Sequence, residues 1–189
     1  MDKELLQRGM TTALRWWKSM YASTGELKKE GIQAAPTAWK AELKRAESID
    51  AVLLSQGFRS LWLSLSKEIT EGHEKQVSQD MLCWAVVAGA LVSVSENHAE
   101  SFAKLAGRKG DGDKPVVSEM RFAQLQQAQT PEEFLRRIRR ILKQLNGKVS
   151  VAQLAKDSCN WYQELTSNYP RQADKRIAVR WAMDYYQAN

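Results

Sequence analysis

The chain has 189 residues, 43% of them hydrophobic and 26% charged, a balance that suits a folded domain and excludes a disordered one. The net charge is +6 and the pI about 9.3, so an anionic partner is implied only where the positive charge is concentrated in space. The two cysteines, Cys83 and Cys159, have no Cys or His at ligand spacing and read as reduced core thiols rather than a metal site or a disulfide framework.

In chain order, "MDKELLQRG" has no apolar stretch of the kind a secretory signal needs, which points to a cytoplasmic protein. A first helix runs through "LLQRGMTTALRWWKSMY" and ends near Ser23–Gly25. After a polar turn, "PTAWKAELKRA" starts a helix at Pro36–Thr37. "SIDAVLLSQ" and "FRSLWLSLSKEIT" follow, with Gly57 as the expected break between them. "MLCWAVVAGALVSV", Met81 to Val94, is the most apolar run. It is too short for the roughly 20 residues that span a bilayer, so it reads as a buried central helix. "AESFAKLAG" is stopped by Gly107, and "GRKGDGDKP", Gly107 to Pro115, is the clearest linker or basic loop, with Arg108, Lys109 and Lys114. Helices resume at "SEMRFAQLQQA", Pro131–Leu145, "SVAQLAKDSCNWYQEL" and "PRQADKRIAVRWAMDYYQ". No alternating strand pattern or internal repeat is visible. The expected fold is all-α: one multi-helix bundle of about eight to ten helices, with a possible lobe boundary at 107–115.

Trp16, Trp39, Trp62, Trp84, Trp161 and Trp181 fall at apolar helical spacing and are expected in the core. Trp17 points about 100° from Trp16 and is expected at the surface or against another chain.

Catalytic constellations are missing. His73 and His98 are the only histidines and lie outside metal-ligand spacings. The glycine-rich loop lacks the strand–loop–helix setting and the Lys-Ser/Thr of a phosphate-binding loop. The sequence therefore reads as non-enzymatic, with no cofactor and no metal.

The strongest positive signal is "TPEEFLRRIRRILKQLNGK", Thr130 to Lys148. Thr130 is an N-cap, Pro131 suits the first helical position, and Glu133 completes a capping box. Asn146–Gly147 supplies the stop. At 100° per residue, with Phe134 at 0°, Leu135, Ile138, Ile141, Leu142 and Leu145 fall between about −20° and +100°. Arg136, Arg139, Arg140 and Lys143 fall between about 140° and 240°, with Arg137 on their flank. Like charges at this spacing repel by about 0.2–0.5 kcal/mol per pair, so something outside the helix compensates. Carboxylates from neighbouring helices or an external polyanion would both do so, and helical geometry leaves the two readings level. Arginine suits phosphate forks better than lysine does. In "TAWKAELKRA", Trp39 and Leu43 face the core while Lys40, Lys44 and Arg45 project the other way. Arg121 in "SEMRF" adds a cation between the two helices.

Four stretches together carry a resemblance: "WKAELKRA", "SEMRFAQLQQAQTPEEFLRRIRRILKQL", "AQLAKDSCNWYQ" and "RIAVRWAMDYYQ". In order and spacing they resemble the CasB family, the small subunit of the type I-E CRISPR Cascade complex, over roughly Thr12 to Tyr186. Lys44 replaces a family arginine, and "GELKKEGIQAA" is a polar insertion-like departure. The resemblance implies a non-enzymatic helical subunit, present in two copies beside the backbone and large subunits of a crRNA-guided complex. It also implies a basic surface that holds the displaced strand of target DNA and supports the target strand. Lys44, Arg45, Arg121, Arg139 and Arg140 lie in matching motifs, and Lys40, Arg136 and Lys143 join them by helical geometry. The competing readings are a helical adaptor whose basic face docks an acidic protein and a helix-turn-helix regulator. The latter is disfavoured because Gln144 is the only base-reading side chain among the cations.

Overall fold

A helix that is apolar all round must be enclosed, and the computed structural model places such a helix, α7 (Glu74–Leu91), at the centre, with every residue from Cys83 to Leu91 buried. The structure describes residues 3–71, 73–110 and 112–188; Met1, Asp2, Asn189, Gly72 and, in the expected linker, Asp111 lie outside it. Before α7 come α1 (Lys3–Tyr21), α2 (Thr24–Glu30), α3 (Thr37–Arg45), α4 (Ile49–Leu54), α5 (Gln56–Ser64) and α6 (Lys67–Thr70). After it come α8 (Phe102–Gly107), α9 (Glu119–Gln126), α10 (Pro131–Gln144), α11 (Val151–Thr166) and α12 (Ile177–Gln187). The fold is all-α. The sequence leads to no strand, but among the described residues β1 (Glu96–Asn97) and β2 (Lys148–Val149) pair in parallel.

The helix count exceeds the expected eight to ten because two short elements sit in segments read as turn or helix tail. One is α2, inside the polar turn. Ser23 accepts from the Glu26 N–H while the Glu26 carboxylate accepts from the Ser23 N–H, a capping box that was legible in the sequence. The other is α6, a single turn split from α5 at Leu65 and Ser66. The expected break at Gly57 falls instead at Ser55, whose hydroxyl caps α5 by accepting from the Phe58 N–H. Gly57 lies inside α5, where an added Cβ would meet Leu43 Cδ1 at 2.6 Å. Its role is close packing against α3 rather than helix breaking.

α11 lies along α7, and α1, α4, α5 and α10 pack around this pair. Residues on both sides of the 107–115 loop share one apolar core. α12 crosses α8 so closely that a Cβ on Gly107 would sit 2.0 Å from the Tyr185 carbonyl oxygen. The loop itself folds back. Gly110 N–H donates to Lys114 O, Val116 N–H to Arg108 O, and Arg108 pairs with Glu100 at 2.5 Å.

Trp17 departs from its expected exposure. It is 5% exposed, its Nε1–H donates to Val94 O at 2.9 Å, and its ring stacks on Tyr21 at 5.2 Å. α1 is covered on two sides, so the neighbouring tryptophans both go inward: Trp16 Nε1–H donates to Gly57 O. Trp84, Trp161 and Trp181 are buried, as expected, while Trp39 and Trp62 are half-buried. The end of α7 needs partners for its last carbonyls. Following backbone supplies most of them, Ser93 N–H donating to Ala90 O and Val94 N–H to Leu91 O, and side chains serve the carbonyls just beyond: Tyr21 Oη–H donates to Val92 O and Trp17 Nε1–H to Val94 O.

Candidate nucleic-acid interface

α10 begins as its sequence dictates. Thr130 Oγ1 accepts from the Glu133 N–H at 3.2 Å, and Pro131 occupies the first turn. Glu133 reaches one residue further back than a standard capping box and accepts from the Gln129 N–H at 3.1 Å. The helix then buries Phe134, Leu135, Ile138, Ile141 and Leu142. Phe134 stacks on Trp161 of α11 at 4.2 Å between ring centroids. That anchor fixes which way the opposite face points.

On that face Arg136, Arg140 and Lys143 are exposed. Among the described residues no carboxylate lies within 4.0 Å of any of them, and none of their side chains makes a hydrogen bond to the protein. Neighbouring helices therefore do not supply the compensating acids. Arg137, on the flank, is engaged locally: it donates to Gln124 O of α9 at 2.5 Å and pairs with Glu133 at 3.4 Å. Arg121 of α9 is exposed and equally unpaired. It borders the same small depression as Arg137 and Arg140, of about 50 Å³, so the structure brings Arg121 and Arg140 together from separate helices.

Arg139 differs from the expectation that placed it on the outward strip. Its guanidinium turns inward and donates to Gly89 O at 2.9 Å, Ala46 O at 2.5 Å and Leu43 O at 3.2 Å. These carbonyls lie in the last turns of α7 and α3 and just past α3, where the helix dipole favours a cation. Burial lowers its pKa from the ordinary arginine value. Arg139 is thus a strut that holds the end of α3 one arginine length from α10.

The strut bears on the second expected cluster, because α3 carries it. Leu43 is fully buried, as expected, while Lys44 and Arg45 are exposed and Lys40 is half-buried. The Lys40 and Lys44 ammonium groups sit 4.5 and 5.9 Å from the centre of the Tyr21 ring, a cation–π arrangement that neutralises no charge. Burial pushes the Tyr21 hydroxyl up to about 12, so it stays neutral beneath them. None of the three has a carboxylate partner among the described residues.

One further set of cations was not singled out from the sequence. Lys104, Lys156 and Arg180 border a cleft of about 460 Å³ between α1, α8, α11 and α12, together with Glu100 and Asp184. They come from three helices, and only the tertiary arrangement unites them. Behind the cleft, Asp157 is buried and accepts from Trp181 Nε1–H at 3.0 Å and Gln153 Nε2–H at 2.8 Å. Burial pushes its carboxyl up to about 6.

Among the described residues no three His, Cys, Asp or Glu side chains are grouped to hold a metal ion, and no helix is long and apolar enough to cross a membrane. The fold and its surface thus define an all-helical protein with cations left unpaired on two helices joined by a half-buried arginine. The family model for CRISPR-associated protein Cse2 matches residues 39–186, and the chain belongs to that family. Its members are components of the multi-subunit CRISPR Cascade complex. The matched region begins at Trp39, within α3, and takes in the basic residues of α3 and all of α10. Comparison with curated proteins and with solved structures gives no match.

Proposed function

We propose that this protein is a non-catalytic Cascade subunit that holds single-stranded DNA, the strand displaced from the target duplex, without reading its sequence. Arg136, Arg140 and Lys143 of α10, with Arg121, form one part of the contact surface, and Lys40, Lys44 and Arg45 of α3 form the other. The observation that carries this reading is that, among the described residues, no carboxylate pairs with Arg136, Arg140 or Lys143, although like charges on a helix repel. A polyanion met in the assembled complex supplies the missing charge. Arg139 is removed from the contact set and reassigned to positioning, because backbone carbonyls occupy its guanidinium.

The physical task is modest. Guide RNA reads the sequence, and exchange of a DNA duplex for an RNA–DNA hybrid is nearly balanced in free energy. A sequence-blind hold on the freed strand therefore tips the exchange, through phosphate contacts that displace counterions. The protein acts in the cytoplasm beside the backbone and large subunits, a second copy of itself and the target strand, and needs no cofactor.

The test is a double charge reversal, Arg136→Glu with Arg140→Glu. Both side chains are exposed and, among the described residues, make no hydrogen bond or ion pair, so the fold is retained. Binding of unrelated single strands weakens and target opening by the assembled complex becomes less stable. If assembly is lost while DNA retention in whatever complex forms is unchanged, the face docks an acidic protein instead.

A further inference from the structure

Cys83 and Cys159 are 76 residues apart in sequence, yet their sulfurs lie 3.3 Å apart, the Cys83 thiol donating to Cys159 Sγ. Cys83 is on α7 and Cys159 on α11, the two helices at the centre of the core. A disulfide bond is about 2.05 Å long, so closing this pair brings the two sulfurs nearer by about 1.2 Å. Among the described residues no third sulfur, nitrogen or carboxylate ligand completes a metal site around them.

The two thiols differ in access. A cleft of about 210 Å³, lined by Gln76, Asp80, Tyr162 and Gln163 among others, reaches Cys83. Its volume exceeds the roughly 30 Å³ of one water molecule, so a small polar oxidant fits. Cys159 lies behind, fully buried and outside that lining. Contact with the Cys83 thiol, and then burial, push the Cys159 thiol well above the ordinary range.

We propose that Cys83 and Cys159 are a dithiol that a peroxide converts into an intramolecular disulfide tying α7 to α11. Cys83 sulfur attacks one peroxide oxygen; the O–O bond breaks, the sulfur becomes a sulfenic acid and water leaves, carrying the Cys83 proton. Cys159 sulfur then displaces the sulfenic hydroxyl, which departs as a second water with the Cys159 proton. Two electrons pass from the sulfurs to the peroxide. The burial of both thiols makes the reaction slower than that of an exposed thiol, and it also shields the pair from bulky alkylating agents.

The experiment exposes the reduced full-length protein to hydrogen peroxide, then denatures it and counts thiols. The count falls from the two cysteines present to none, the mass drops by two hydrogens, the product stays monomeric on a non-reducing gel, and dithiothreitol reverses it. In Cys159→Ser, dimedone traps a sulfenic acid at Cys83. The inference is overturned if both thiols survive a dose that fully oxidises added glutathione. It is also overturned if the disulfide links two chains, or if Cys83→Ser accumulates the dimedone adduct at Cys159 as readily. Should either variant fail to fold, the wild-type thiol count decides.

Discussion

Replacing Arg139 with alanine separates its role from that of its neighbours on the same helix. Three hydrogen bonds from a charged donor are lost, to Gly89 O, Ala46 O and Leu43 O. Each such bond contributes about 1.5–3 kcal/mol net. The sum overstates the loss, because the three bonds share one half-buried guanidinium and do not add. A net loss of about 2–4 kcal/mol follows. For a domain of this size that is a fall of about 5–15 °C in melting temperature. Arg140→Ala removes an exposed side chain with no partner in the chain, and its effect stays within about 0.5 kcal/mol. Urea unfolding followed by circular dichroism measures both variants, and single-strand binding is measured on the folded fraction. Arg140→Ala loses affinity at unchanged stability, and Arg139→Ala does the reverse. If Arg139→Ala is as stable as Arg140→Ala and binds DNA as weakly, the inward strut is wrong and Arg139 belongs on the outer strip.

The Arg136→Glu and Arg140→Glu pair flattens the dependence of log affinity on log salt, because each lost phosphate contact removes about 0.7 from the slope for a single strand. A salt titration with wild type and variant checks it, and parallel lines would contradict direct phosphate contact. Asp157 has its carboxyl raised from 3.8 to about 6 by burial, so the native state binds the proton more tightly than the unfolded chain. Its stabilising contribution is full below pH 3.8 and is lost as pH rises to about 6. Asp157→Asn, measured by urea unfolding between pH 4 and pH 7, removes that fall and gains about 1–3 kcal/mol relative to wild type at the upper end. An unchanged difference across the range would contradict a raised carboxyl. Gly107→Ala puts a Cβ 2.0 Å from the Tyr185 carbonyl oxygen, a backbone atom that cannot turn away. It costs about 3 kcal/mol or more, read as an early thermal transition.

Much of the candidate interface was legible before the fold. The α10 register, its Thr130 cap and its buried stripe follow from spacing alone, because a helix imposes its angular order on any sequence that adopts it. Helical period likewise separated Leu43 from Lys44 and Arg45 on α3. The four motif stretches pointed to the family that the match over residues 39–186 shows. The polar composition of α2 resembles a turn, and only Ser23 and Glu26, which form its capping box, mark it in the sequence as a helix.

What spacing could not decide is where another element's backbone ends. Arg139 shares a helical face with Arg136 and Lys143, yet the carbonyls it meets belong to Leu43, Ala46 and Gly89, brought within reach only by packing. Trp17 was expected outside because Trp16 was assigned inside, but α1 is covered on two sides and Val94 O waits on the second. Cys83 and Cys159 carried no spacing signal at all, since 76 residues separate two sulfurs that α7 and α11 place 3.3 Å apart. The sequence by itself determined which residues share a face of a helix, a matter of local periodicity. Tertiary structure alone decided which of those faces meet carbonyls, sulfurs or open solvent, because those partners come from distant parts of the chain.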